Sequence, residues 1–393
     1  MPKHLLLAKG RIKNMKRLWI GIIVLVVAGL ALALFLTRGK KEPNEIKVGV
    51  VLPLTGEVAV YGQKMKRGID LAVNQINSKG GINGNQIKVV YEDDQGDPKS
   101  AVAAVQKLIT TENVPVIIGG AISATALPVV PIIDRNNVVL FSPAATAPKL
   151  SGQSKYFFRN WPSDIYDGPA MGEFARKELK LEKVGVLYVN NEWGNAISGL
   201  FSDTFKRQGG QIVATESYEQ NATDFRTQLT KIARQNPDAI YVPGYLKELI
   251  NILRQKKELG IKARILSAYG FYDPQILEQG KDAAEGSVFT APTYDPDNPN
   301  PAIKNYVTSF QSTYGEKPDI WSAQAYDAMN IIALALQSGA RTGPQIRDEI
   351  AKVKNFDGVS GNTSFDEKGD VQKPLRLMTV KNGEFVDYAS MGR

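Results

Sequence analysis

Short apolar segments alternate with amphipathic segments along most of the chain. The segment IKVGVVL (46–52) is rich in β-branched residues and predicts a buried strand. In the stretch 62–77 that follows it, apolar side chains recur at the i, i+3, i+4, i+7 spacing of one helix face: Ile69, Ala72, Val73 and Ile76. The alternation continues to NVVLFS (137–142). Strands that alternate with helices predict βαβ units and a parallel sheet covered on both faces.

The same pattern starts again at KVGVLYVNN (183–191) and runs to ARILSAYG (263–270), so we predict two α/β lobes of similar topology. FFRNWPSD (157–164) lies between the two runs, and TAPTYDPDNPNP (290–301) follows the second. Both are predicted crossing points between the lobes, the latter because it is rich in Pro and Asp. The tail GNTSFDEKGDVQKPLRLMTVKNGEFV (361–386) predicts strand, turn and strand.

A run of 19 residues without charge or proline, 18–36, precedes the α/β body. As a helix it would span about 28 Å, roughly one hydrocarbon core. Six Lys/Arg precede it and three follow it, so the positive-inside rule predicts a cytoplasmic N-terminus and an extracytoplasmic body. Two interpretations stay open: an uncleaved signal anchor, which we favour, and a signal peptide cleaved after the small-x-small sequence 31–33. Met1 and Met15 are both candidate start residues.

The net charge of +8 belongs to this N-terminal segment. Residues 1–41 carry nine Lys/Arg and no acidic residue, whereas residues 42–393 carry 39 basic and 40 acidic residues. A body so close to neutral lacks the basic surface that follows nucleic-acid phosphates. We therefore expect no nucleic-acid partner.

The body has few of the side chains that enzymes use. The only histidine is His4, and the chain has no cysteine, so His-based catalysis, thiol chemistry and disulfides are excluded from the body. The sequence also lacks the nucleophile-elbow, P-loop and dinucleotide-binding motifs. Acidic clusters at 92–97, 294–299 and 366–370 have the Gly, Pro and Asn content of solvated turns. We expect no enzymatic activity, no metal and no cofactor.

Small polar residues follow two predicted neighbouring strands. VIIGG is followed by AISAT and VVLFS by PAATAP, which brings Ser123, Ala144 and Thr146 to the carboxyl ends of the strands. Ligands of open α/β sheets bind at that edge. Ser123 starts a predicted helix, where it either caps the helix or faces a ligand carboxylate beside free backbone N–H groups. Thr146 adds a hydroxyl, and Ala144 leaves room for a ligand to reach the backbone.

Four aromatic residues lie just beyond strand ends or at helix starts: Tyr61, Trp193, Tyr245 and Tyr269. Aromatic side chains inside elements are usually part of the core. At the strand exits of both lobes they more often line a pocket. We therefore predict that these four side chains form the walls of a ligand site.

Several longer segments occur in order between residues 48 and 329: VGVVLPLTG, YGQKMKRGIDLAVNQINSKGGINGNQIKVVYEDDQGDPKSAV, VPVIIGGAISATA, SPAATAP, AAEG and WSAQAYDAM. As a set they resemble the leucine/isoleucine/valine-binding family of periplasmic proteins, which are type I solute-binding proteins of ABC transporters. The resemblance covers residues 45–385. It implies an α/β fold of two Rossmann-like lobes with parallel sheets, a ligand cleft between them, and three crossovers near residues 162, 292 and 375.

The resemblance also implies boundaries for the lobes. The N-terminal lobe is expected at 42–162 with 293–375, and the C-terminal lobe at 163–292 with 376–393. Residues 1–41 precede both as a cytoplasmic stub with the membrane anchor or signal segment.

By the same resemblance, the carboxylate clamp of the family falls on Ser123, Ala144 and Thr146, and pocket walls fall on Tyr61, Trp193 and Tyr245. The chain departs from the pattern at Tyr269, because amino-acid binders have an acidic residue there that holds the ligand ammonium. Two ligand classes therefore stay open. One is an amino acid, with Asp319 or Asp273 as the ammonium anchor. The other, which we favour, is a neutral-bodied or aromatic acid stacked on Tyr61, Trp193 and Tyr269.

The function implied by the resemblance is that of an extracytoplasmic receptor, tethered to the membrane or secreted by its N-terminal segment. It is expected to bind a small carboxylate- or amide-containing ligand and to deliver it to the permease of an ABC importer. We expect a monomer. The alternative is the ligand-sensing domain of a signalling complex, since sensory domains share this fold.

Overall fold

The computed structural model describes residues 45–389. The predicted membrane anchor or signal segment, 18–36, lies outside these residues. Between residues 45 and 389, no helix combines the length and the apolarity that crossing a membrane requires.

The first sheet consists of β1 (Glu45–Leu52), β2 (Gln86–Asp93), β3 (Val116–Gly119), β4 (Val139–Ser142) and β5 (Phe157–Arg159). All five strands are parallel, in the order β2-β1-β3-β4-β5. The connecting helices are α1 (Ala59–Ser78), α2 (Pro98–Thr110) and α3 (Ser123–Asn136). β3 and β4 are buried at every position, which explains their continuous apolar sequence.

A second set of strands begins after β5: β6 (Lys183–Val189), β7 (Gln211–Tyr218), β8 (Ala239–Val242), β9 (Arg264–Ser267) and β10 (Val288–Pro292). These five are parallel, in the order β10-β9-β8-β6-β7. Their helices are α4 (Asp164–Lys177), α5 (Glu192–Arg207), α6 (Arg226–Ala233), α7 (Leu246–Glu258) and α8 (Pro274–Gly280).

The chain then returns to the first sheet. It forms α9 (Pro301–Tyr314), α10 (Ile320–Gln337), α11 (Gly343–Ala351) and the short antiparallel pair β11 (Phe356–Gly358) and β12 (Gly361–Thr363). α10 packs along α1, and α11 contacts β4. Fourteen of the 18 residues of α10 are buried, as expected of a helix that is apolar on all sides.

The tail adds two antiparallel strands to the second sheet, β13 (Leu375–Lys381) and β14 (Glu384–Asp387). The complete order is β14-β13-β10-β9-β8-β6-β7, so the tail gives this sheet an antiparallel edge beside its five parallel strands. Lys381 pairs with Glu384, which leaves a two-residue turn of Asn382 and Gly383 with φ angles of 54° and 74°. Two positive φ angles are the requirement of the hairpin turn that Asn-Gly favours.

Each sheet with its helices forms one lobe, and we call them the first and the second lobe. The chain passes between the lobes around residues 160–163, 293–300 and 372–374. The carboxyl ends of β3 and β4 in the first lobe and of β6, β8 and β9 in the second face one another across the boundary. The site described next lies at this boundary.

Candidate functional site

A cavity of about 20 Å³ lies between the lobes at the strand ends. Seven of the eight predicted site residues line it: Tyr61, Ser123, Ala144, Thr146, Trp193, Tyr245 and Tyr269. Four further lining residues were not predicted: Ala121, Ile122, Gly270 and Trp321. The structure therefore brings together residues from strand exits and helix starts that lie up to 260 positions apart in the sequence.

Ser123 fixes the loop that follows β4 rather than capping its own helix. The N-cap of α3 is Ile122, which makes no side-chain capping bond. Ser123 Oγ instead accepts hydrogen bonds from the backbone N–H groups of Thr146 (3.2 Å) and Ala147 (3.0 Å). Ser123 therefore joins the two loops that follow β3 and β4 instead of capping α3. Within residues 45–389 its hydroxyl donates no hydrogen bond to another residue.

Hydrogen bonds from two more side chains fix residues 142–147, which we call the clamp loop. Ser142 Oγ accepts from the N–H of Ala145 (3.0 Å) and donates to the carbonyl oxygen of Gly120 (2.8 Å). The guanidinium of Arg159 is fully buried and donates to the carbonyl oxygens of Ala145 (3.3 Å) and Ala147 (3.1 Å). The clamp loop is therefore preorganised, with its backbone fixed from both sides.

A chain of hydroxyl hydrogen bonds crosses the boundary at Thr146. Thr146 Oγ1 lies 2.7 Å from the Tyr269 hydroxyl and donates to Asp164 Oδ2 at 2.8 Å. In the contact between Thr146 and Tyr269 either hydroxyl can donate. Burial raises the pKa of the Asp164 carboxyl well above its ordinary value, and the neighbouring carboxyl of Asp167 raises it further.

Aromatic rings form most of the wall of the cavity. Trp193 stacks on Tyr245 with ring centroids 5.1 Å apart, and Tyr61 packs on Trp321 at 4.5 Å. Trp161, behind the cavity, stacks on Trp321 and contacts Tyr269. The predicted aromatic positions thus belong to one continuous cluster of six rings.

Asp319 and Asp273 do not line this cavity. They lie in a neighbouring cavity of about 480 Å³, where Lys64 binds Asp273 at 2.6 Å and approaches Asp319 to 3.6 Å. Each carboxylate also caps a helix, since Asp319 accepts from the N–H of Ser322 and Asp273 from that of Gln275. Both candidate ammonium anchors are therefore already paired, and neither reaches the aromatic cavity.

Three residues of the site carried a weak signal in the sequence. Trp321 stands two positions after Asp319, in a segment whose acidic residue is the stronger signal of a ligand site. Trp161 and Asp164 belong to FFRNWPSD, which the sequence predicts to be a crossing between lobes rather than part of a site. Within residues 45–389 no group of three or more His, Cys, Asp or Glu side chains is arranged to hold a metal ion.

Comparison with known proteins identifies the family. The family model described as periplasmic binding protein matches residues 45–384. A leucine-, isoleucine-, valine-, threonine-, and alanine-binding protein of Pseudomonas aeruginosa is 30% identical over 347 residues, which are 88% of this chain and 90% of that protein. The chain therefore belongs to the type I periplasmic binding proteins of the leucine/isoleucine/valine-binding family, as its motifs indicated.

Two solved structures share the fold over most of their length. The branched-chain amino acid transporter substrate binding protein of Streptococcus pneumoniae, in complex with isoleucine, is 31% identical with a TM-score of 0.81 and covers 88% of this chain and 100% of its own. A solute binding protein of an ABC transporter from Rhodopseudomonas palustris, in complex with 3,4-dihydroxy benzoic acid, is 25% identical with a TM-score of 0.79, covering 88% and 96%. The predicted α/β fold of parallel-sheet lobes is confirmed.

Proposed function

We propose that the chain is an extracytoplasmic solute-binding receptor that captures a small carboxylate- or amide-containing ligand between its lobes and delivers it to an ABC importer. The observation that carries the proposal is the meeting of the Ser123 hydroxyl, the clamp-loop backbone and the Thr146 hydroxyl at one edge of the first sheet. Hydroxyl and backbone N–H donors at a helix start suit a carboxylate. Residues 45–389 contain no histidine and no cysteine, and the proposal includes no reaction.

The conformation described is a closed one. A cavity of about 20 Å³ holds roughly one water molecule and is too small for an amino acid or an aromatic acid. The ligand therefore enters when the lobes separate, which breaks the bond between Tyr269 and Thr146. Closure around the ligand then presents the importer with a distinct conformation, as in hinge-closing binding proteins generally.

The remaining parts of the proposal follow the sequence expectations. The lobes are taken as 42–162 with 293–375 and 163–292 with 376–393, and the receptor as a monomer tethered by, or secreted through, its segment 18–36. Its permease partner meets the closed lobes at the membrane. The relatives named above are binding proteins, which favours this function over a sensor domain.

The direct test is mass spectrometry of small molecules released by denaturing the purified full chain, followed by calorimetry with each candidate. The expected result is a carboxylate or amide that binds saturably at one site per chain. Thr146→Val is expected to weaken that binding by about 1.5–3 kcal/mol, because a charged group of the ligand loses a hydrogen-bond partner at this hydroxyl. Thr313→Val, at an exposed position of α9, is the matched control and leaves the affinity unchanged. Failure of every amino acid, aliphatic acid and aromatic acid to bind at millimolar concentration would contradict the proposal.

A further inference from the structure

We infer that the first lobe carries a second binding site, which takes the phosphate group of a small phosphate monoester at the outer edge of the first sheet. The site is a cavity of about 280 Å³ beside β5, the edge strand of that sheet. It shares no lining residue with the cavity between the lobes. Pockets for small organic ligands begin at about this volume.

The cavity has a local excess of positive charge. Four basic residues from three segments of the first lobe line it: Lys155, Arg347, Lys354 and Lys368. Asp366 and Glu367 also line it, so the net charge of the lining is +2. The end of α11, at Ala351, adds a partial negative charge that offsets about half a unit of this excess. Since residues 42–393 together are close to neutral, the remaining excess is a feature of this cavity.

The lysines of the cavity are not neutralised by acidic side chains. Lys155, Lys354 and Lys368 form no ion pair within the described part of the chain. Lys354 donates instead to the carbonyl oxygen of Phe365, which also lines the cavity. The Oδ1 atom of Asp366 accepts from the backbone N–H of Lys368 at 2.8 Å. This carboxylate therefore shapes a turn of the backbone and leaves the lysine ammonium groups to another anion.

Arg347 supplies a donor that has no acceptor. One terminal nitrogen of its guanidinium pairs with Asp348 at 2.7 Å, but its Nε–H is buried without a hydrogen-bond partner among the described residues. Buried N–H groups almost always have a partner, so this one needs an explanation. The guanidinium and the ammonium of Lys155 each lie 5.4 Å from the ring centroid of Tyr156. An anionic oxygen in the cavity gives the Nε–H its acceptor and the two cations their counter-charge.

A phosphate monoester matches this charge and shape. It carries close to two negative charges at pH 7 and has three acceptor oxygens, whereas a phosphodiester or a carboxylate carries one charge. Arginine and lysine are the side chains with which proteins bind phosphate. The rings of Phe158 and Phe365, with centroids 5.4 Å apart, add an apolar wall against which the organic part of an ester packs.

Calorimetry of the full chain with glycerol 3-phosphate tests the inference, at an ionic strength kept constant with sodium chloride. We expect saturable binding, at least tenfold tighter than that of sn-glycero-3-phosphoglycerol, a diester with the headgroup of a membrane lipid but no acyl chains. We also expect binding at least threefold tighter than that of inorganic phosphate. Affinity should fall at least fivefold from pH 7.5 to pH 5, because the second pKa of the ester is about 6 and the basic residues stay charged.

Two substitutions locate the binding. Lys368→Gln, at an exposed position, is expected to weaken it at least fivefold, and Arg347→Gln at least twentyfold. Lys352→Gln is the matched control, because Lys352 is an exposed lysine at the end of the same helix but does not line the cavity. We expect it to change the affinity less than twofold.

Binding that survives unchanged in Lys368→Gln would overturn the inference, even if Arg347→Gln proves unstable, and would assign the binding to the basic residues of 1–41. Equal or tighter binding of the diester or of inorganic phosphate would overturn the assignment to a monoester. Absence of saturable binding of glycerol 3-phosphate at millimolar concentration would overturn the site itself. None of these outcomes bears on ligand capture between the lobes, since the two cavities have no lining residue in common.

Discussion

Asp167 lies one helical turn beyond Asp164, and its surroundings favour the protonated form of its buried carboxyl. The Thr290 hydroxyl lies 2.8 Å from each of its two oxygens. One hydroxyl has one proton to give, so a charged carboxylate keeps one oxygen unsatisfied. A protonated carboxyl satisfies both contacts, because it donates through one oxygen and accepts through the other. Burial accordingly raises the pKa of Asp167 to about 7.

We predict that Asp167→Asn stabilises the protein at alkaline pH. Because the folded pKa of Asp167 lies above the unfolded value of about 3.9, the native state binds more protons than the unfolded state between these pH values. Stability of the wild type therefore falls as pH rises from about 4 to about 7 and stays lowered above that. The amide side chain of the variant does not lose stability as pH rises, since it can donate and accept hydrogen bonds at any pH. We expect the variant to gain on the order of 2 kcal/mol at pH 8 and nothing near pH 4.

Urea denaturation at pH 4, 6 and 8 measures this difference. The exposed Asp203→Asn is the matched control and is expected to follow the wild type at all three pH values. A variant that is less stable than the wild type at pH 8 would mean that Asp167 is charged and well paired in the folded protein.

The site residues that sequence could predict are those whose position follows from a strand end. Ser123, Ala144 and Thr146 stand directly after buried strands, and the chain direction alone brings them to one edge. Asp164 gives no such signal, because its contacts with Thr146 and Trp193 are made to other elements of the fold. Asp319 shows the opposite error: an acidic residue near the site in sequence is bound elsewhere by Lys64, which only the packing of the lobes determines.

At the scale of elements, the clamp loop depends on one buried guanidinium. Arg159 joins the carbonyl oxygens of the loop to Asp370, a residue more than 200 positions later. We predict that Arg159→Met lowers the free energy of unfolding by about 3–5 kcal/mol, because Asp370 and two carbonyl oxygens lose a buried partner. We also expect ligand affinity to fall, since the loop backbone is no longer fixed.

Thermal unfolding and calorimetry of the variant measure the two effects separately. Arg226→Met removes an exposed arginine that pairs with Asp224 and Glu258, and it is expected to leave the stability close to that of the wild type. Unchanged affinity in Arg159→Met at a temperature where the variant is folded would show that the loop holds its shape without the guanidinium.

The alternation of strands and helices was predictable because each βαβ unit carries its own apolar pattern. Even the last hairpin had a local signal, since Asn382-Gly383 supplies the two positive φ angles that its turn requires. The pairing of β13 with β10 had no such local signal in the sequence. That contact joins residues almost 90 positions apart, and the antiparallel edge of the second sheet follows from tertiary packing rather than from local sequence.

At the scale of the whole molecule, the closed state is held by contacts of unequal strength. Lys149 binds Glu192 and Lys247 binds Glu57 across the boundary, but all four side chains are exposed and such pairs contribute little. The pair of Lys64 and Asp273 is different, because the Asp273 side chain is only 1% exposed. Closure is therefore expected to depend on Lys64 far more than on the two surface pairs.

We predict that Lys64→Met shifts the protein toward an open conformation, because two acidic side chains lose the cation between them and repel across the boundary. Ligand affinity is expected to fall about tenfold, because the ligand-bound closed form loses the same buried ion pair. The chain has no cysteine, so spin labels at Lys99→Cys and Thr227→Cys, one exposed position on each lobe, report the inter-lobe distance directly. Lys247→Met is the matched control and should leave the distance distribution close to that of the wild type. An unaltered distribution in Lys64→Met would place the control of closure in the aromatic cluster instead.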